Sequence, residues 1–63
     1  MSNEELKEIQ NQILQQIRAM RGDIRGAKGQ RCLLYAWKEA ENMNLQTAIN
    51  FMMEAERDDE FEE

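Results

Sequence analysis

The sequence predicts an all-α protein: an antiparallel helical hairpin, with helices over about 3–25 and 30–57, that dimerises into a four-helix bundle and ends in an acidic disordered tail. Three observations carry that expectation. Proline is absent and glycine is confined to Gly22, Gly26 and Gly29, while Glu, Gln, Ala, Leu, Met, Arg and Lys dominate the rest; these are the residues that lose least on entering a helix. Apolar residues recur at three- and four-residue steps through two long stretches, which is the period of an amphipathic helix. Finally, a chain of 63 residues removes too little surface from water to be comfortably stable alone. With one cysteine and no histidine it can build neither a disulfide framework nor a typical zinc site, so a second copy is the remaining source of stability.

The first helix has a defined start. Ser2-Asn3-Glu4-Glu5 carries the S-x-x-E spacing of a capping box, in which the Ser2 hydroxyl accepts from the Glu5 backbone N–H. Leu6, Ile9, Ile13, Ile17, Met20 and Ile24 then form one apolar stripe along a helix that runs to about Arg25. Gly22 lies inside it at a cost of up to about 1 kcal/mol, so an end at Arg21 competes. Gly26-Ala27-Lys28-Gly29 supplies the two residues most tolerant of left-handed backbone angles and is read as the reversal.

From Gln30 a second pattern begins. Leu33, Leu34, Trp37, Ala40, Leu45, Ala48, Ile49, Phe51, Met52 and Ala55 fall on one broad face at 100° per residue, and one helix from about Gln30 to Arg57 accounts for them. A competing reading breaks it at Asn42-Met43-Asn44, with Asn44 capping a third helix, because Asn is poor in helix interiors and good at N-caps. Residues 1–57 form the hairpin domain. Asp58-Asp59-Glu60-Phe61-Glu62-Glu63 is too charged to pack and is the expected tail. The dimer core is expected from Leu6, Ile13, Ile17, Met20, Leu34, Trp37, Leu45 and Met52, the residues two hairpins would bury between them.

Catalysis is not expected. A titratable group near neutral pH is missing because there is no histidine, and Cys32 has Arg31 beside it but no visible general base. The carboxylates sit on outward faces. No catalytic, metal-binding or cofactor-binding residue is expected, and no small-molecule substrate. Arg21-Gly22-Asp23 and Gly26-Ala27-Lys28-Gly29 are chance likenesses to an integrin-binding tripeptide and a phosphate loop; the second lacks the loop's spacing and its preceding strand. No stretch approaches the roughly 20 apolar residues that span a bilayer, and the acidic start is unlike a secretory signal. The expected location is the cytoplasm of a bacterial host, with no membrane partner.

Charge is unevenly placed along the chain. Residues 18–31 hold Arg18, Arg21, Arg25, Lys28 and Arg31 against a single Asp23, while Glu4, Glu5 and Glu8 begin the chain and Glu54 and Glu56 lead into the tail. In a two-helix hairpin one end is therefore basic and the other acidic, and two copies would pair antiparallel with unlike ends together. Gln10, Glu41 and Asn44 would meet as a polar layer that fixes register.

On the outward side of the first helix, Lys7, Asn11, Leu14, Gln15, Arg18 and Arg25 lie within about 100° of one another, a stripe of cationic and amide groups suited to phosphates and bases. The layout resembles the Rop-type helical hairpin dimers, plasmid copy-number regulators that bind paired RNA loops through the outer faces of their first helices. That resemblance implies an RNA-contacting face at Lys7, Asn11, Gln15, Arg18 and Arg25, with Leu14 where an aromatic would be wanted. In size and acidity the chain is also similar to small early regulatory proteins of lambdoid bacteriophages, which implies a regulator that binds a host protein. A homodimer acting on a host protein is the expected function, with RNA binding by the first helix as the alternative.

Overall fold

Ser2 caps the first helix as its spacing predicts: its hydroxyl accepts from the Glu5 N–H at 3.2 Å. The computed structural model describes the backbone of residues 2–61 and the side chains of residues 2–57. Among the described residues there are three helices, α1 (Asn3–Asp23), α2 (Ala27–Glu41) and α3 (Leu45–Phe61), and no strand. The all-α expectation holds. The two-helix layout does not, because the segment expected to be one helix over 30–57 is broken after Glu41.

The break is a Schellman turn. Met43 N–H donates to the Ala40 carbonyl at 3.0 Å and Asn44 N–H to the Glu39 carbonyl at 2.8 Å, the pair of bonds that closes a helix C-terminus. Met43 occupies the left-handed position at φ 66°, where glycine is usual and a larger residue costs about 1 kcal/mol. The Asn44 side-chain amide turns back to donate to the Glu39 carboxylate at 2.8 Å, and the Asn44 carbonyl accepts from Ala48 N–H at 3.0 Å to start α3. The break expected by the competing reading of Asn42-Met43-Asn44 is thus present, with the Asn44 amide turned to Glu39.

Two further boundaries move. α1 ends at Asp23, with Ile24 extended at φ −84° and ψ 126°, and α2 begins after Gly26 at Ala27. The reversal is therefore Ile24-Arg25-Gly26 rather than residues 26–29. No glycine adopts a positive φ among the described residues. α3 continues to Phe61, so the backbone of 58–61 is helical where a disordered tail was expected; residues 62 and 63 lie outside the described residues.

Helix direction follows from two contacts. The Gln10 side-chain amide donates to the Ala40 carbonyl at 2.9 Å, which sets the start of α1 beside the end of α2. A Cβ placed on Gly29 would lie 3.3 Å from the Ala55 carbonyl oxygen and 2.5 Å from Ile24 Cγ2, which sets the end of α3 beside the start of α2. Each neighbouring pair is antiparallel, so α1 and α3 run the same way. α2 packs most extensively on α3 and least contact joins α1 to α3. Along the α2–α3 seam Gly29 faces Ala55, and the antiparallel register carried seven residues further along each helix places Ala36 level with Ala48, both in the same buried cluster. All four positions are buried. Tyr35 and Phe51 close the seam's outer edge with ring centroids 5.6 Å apart.

Larger side chains fill the space between α1 and this pair. Ile13, Ile17, Met20, Ile24 and Leu33 are buried with the alanines, and Ile17 and Leu33 are the largest fully buried side chains. The molecule is a rod 42 Å long and 17 by 14 Å across. It exceeds the ~32 Å of a 21-residue helix because α1 overhangs one end and α3 the other.

Denaturation of three variants, two at glycines and one at Met43, tests this packing. Gly29→Ala should lose about 1–3 kcal/mol, since its methyl must displace the buried Ile24. Gly22→Ala, with nothing within 4 Å of its added Cβ, should gain about 0.5–1 kcal/mol. Met43→Gly should also gain, by up to about 1 kcal/mol. A stable Gly29→Ala protein would contradict the close approach of α3.

Candidate functional site

Two glutamines fix how α1 and α2 lie together. Gln10 on α1 donates to Ala40 O at 2.9 Å and Glu41 O at 3.3 Å, both terminal carbonyls of α2. Gln30 on α2 donates to Arg21 O at 2.8 Å and Ile24 O at 2.5 Å, at the end of α1. Each helix thus supplies an amide that satisfies carbonyls its neighbour's helix cannot. The expected polar layer is corrected accordingly: Gln10 does reach the end of α2, but it meets backbone carbonyls, while Glu41 and Asn44 are exposed.

This register opens a groove on the side of α2 opposite α3. One hollow of about 310 Å³ is lined by Arg18, Arg21, Leu34 and Trp37. A second, of about 130 Å³, is lined by Asn11, Leu14, Gln15, Arg18 and Trp37. Arg18 and Trp37 border both, so the two hollows lie side by side along one channel-like groove between α1 and α2. None of its lining residues is acidic. Trp37 is half-buried, and Leu34 is 53% exposed.

The expected partner face divides on this geometry. Asn11, Gln15 and Arg18 line the channel, whereas Lys7 and Arg25 are exposed and line neither hollow, Arg25 having left the helix for the reversal. Arg21, Leu34 and Trp37 join them from outside the stripe read on α1. They were missed because the reversal was placed at 26–29; moving it to 24–26 slides α2 by about one helical turn and brings Trp37 opposite Leu14. The aromatic lacking on α1 is supplied by α2.

Residues expected between two copies are largely engaged within one. Ile13, Ile17 and Met20 are buried inside the chain, and Leu6, Trp37, Leu45 and Met52 are half-buried. Leu34 alone of that set is exposed, as part of the groove.

The charge pattern is also redrawn. Because α3 runs parallel to α1, Glu54 and Glu56 flank Ala55 at the basic turn, while Glu4, Glu5 and Glu8 lie at the opposite end. The end-to-end dipole expected of a two-helix hairpin is thereby lost. What remains is sideways asymmetry. Arg31 and Lys38 stand three before and four after Leu34, so they border it on the helix surface; with Arg18 and Arg21 in the lining they gather four of the eight basic residues around the groove of a chain whose net charge is −5.

Elsewhere the surface offers less. A hollow of about 230 Å³ is lined, among the described residues, by Asn50, Met53, Glu54 and Arg57 of α3. Among the described residues no group of three or more His, Cys, Asp or Glu side chains could hold a metal ion, and no helix is long and apolar enough to cross a membrane. No protein-family model, characterised protein or solved structure matches the chain. Among the described residues, fold and groove define a small three-helix protein with a cationic, aromatic-bearing cleft.

Trp37 is the single tryptophan, so its fluorescence reads the local potential. Iodide should quench it more efficiently than caesium despite the acidic net charge, and Arg18→Ala with Arg21→Ala should remove that preference. Stronger quenching by caesium in the unaltered protein would contradict the cationic groove.

Proposed function

We propose that the chain is a non-enzymatic regulatory protein of the phage or mobile-element type, which acts in the bacterial cytoplasm by binding a host protein through the α1–α2 groove. One observation carries this reading: Trp37, Leu34, Arg18 and Arg21 border one hollow, and its Trp and Arg members belong to the residue types that dominate binding energy where two proteins meet. Self-association belongs to the same proposal in altered form. Ile49 and Met53, exposed one turn apart on α3, give a second apolar strip away from the groove, and pairing there would leave the groove open.

RNA binding is the second reading. It is favoured by Trp37 lining the same hollow as Asn11, Gln15 and Arg18, a set able to combine stacking, amide and phosphate contacts.

Capture from a bacterial host extract separates the two. Tagged protein should retain a host protein from nuclease-treated extract, and Arg18→Ala with Leu34→Ala should reduce retention about tenfold with helicity unchanged by circular dichroism. Retention of RNA alone would favour the second reading. Undiminished protein retention by the variant would remove the groove from the account.

A further inference from the structure

The chemistry of the groove restricts what can lie in it. Both walls are α-helices whose backbone hydrogen bonds are made within each helix, so an extended strand would find no edge to pair with. Recognition must then be by side chains. The channel lies between two antiparallel helices, and the α1 residues lining its two hollows are offset by about five positions, roughly 7 Å at 1.5 Å per residue, between one and one and a half helical turns. Side chains at i and i+4 of a third helix reach both. Leu14, Leu34 and Trp37 offer apolar contact to such anchors.

Charge adds a sign to this shape. Arg18 and Arg21 stand on one wall at a spacing that makes them surface neighbours, and Arg31 and Lys38 border Leu34 on the other. Like charges so placed repel one another, and an occupant carrying carboxylates relieves that repulsion while a cationic one adds to it. The acidic residues Glu8 and Glu41 lie toward the far end, beside Gln10, so the carboxylates of an occupant belong near the turn.

We propose that the groove takes an acidic amphipathic helix of a protein partner, seated along α1 and α2 as an added helix, with apolar side chains at i and i+4 in the two hollows and carboxylates facing Arg18 and Arg21. This rests on the reading of the groove as a protein contact. The occupant's apolar stripe distinguishes it from a nucleic acid, whose phosphates would meet the arginines but leave Leu14 and Leu34 without apolar partners.

Trp37 fluorescence supplies the test, with the full chain titrated by a capped peptide of about 16 residues, long enough to form a helix, lacking Trp and Tyr. The peptide carries Leu at helical spacing and Glu on the flanks of that stripe. It should shift Trp37 emission saturably and bind about tenfold more weakly to the Arg18→Ala, Arg21→Ala variant. A scrambled peptide of the same composition, one with Lys for Glu, and a uridine oligonucleotide are the controls. Equal binding by the scrambled or the lysine peptide overturns the proposal, as does undiminished binding to the double variant. A response to the oligonucleotide with none to the acidic peptide overturns it in favour of nucleic acid. Should the acidic peptide fail while groove-dependent capture of a host protein stands, the acidic helix is wrong and the protein contact survives; should both fail, both readings are lost.

Discussion

The close approach of α3 to α2 governs the rest of this molecule. Gly29 on one helix meets Ala55 on the other, with Ala36 and Ala48 buried level with each other by the same register, and at Gly29 the space that a methyl would need is already held by Ile24 and the Ala55 carbonyl. Side chains this small bury little apolar area each, so the stability of the pair rests on dense contact between the helices themselves. α3 can reach that position only by reversing direction at Met43. The left-handed angle there is strain that the seam offsets.

Reversal has two consequences for function. α3 occupies one flank of α2 and α1 is held against the other by Gln10 and Gln30, so the outward side of the α1–α2 contact is left as an open channel. It also sends Glu54 and Glu56 to the turn end of the rod, where they lie near basic residues of the turn. Arg18 and Arg21 then line the channel beside Trp37. A chain that is acidic overall thereby presents a local positive surface with an aromatic member, which composition alone conceals. The groove follows from the same packing that makes the core.

Much of α1 was legible in the sequence. Ser2 and Glu5 announced its start, and the spacing of Ile13, Ile17, Met20 and Ile24 marked its buried face, because capping and helical period are local properties. The second half was harder for a physical reason. Gly29 was read as a turn residue since glycine permits positive φ, but here it serves close approach inside a helix, a non-local demand. Met43 gave no sign of a left-handed position, where glycine or asparagine would have done so. Asn42 and Asn44 hinted at a break, yet the helix formers around them supported continuity equally well. Misplacing the turn by a few residues then hid Trp37 and Arg21 from the candidate site, although Asn11, Gln15 and Arg18 were found from helical phase alone.

The direction of α3 is the claim on which groove, charge pattern and core all rest. Paired spin labels in a Cys32→Ser background measure it, one pair at Lys28→Cys and Arg57→Cys and the other at Glu4→Cys and Arg57→Cys. With α3 folded back along α2, the backbones at 28 and 57 lie about 10 Å apart, the separation of packed helices, and those at 4 and 57 about 30 Å apart along the rod. The opposite order, with 57 close to 4 and far from 28, would show a continuous second helix and contradict the account.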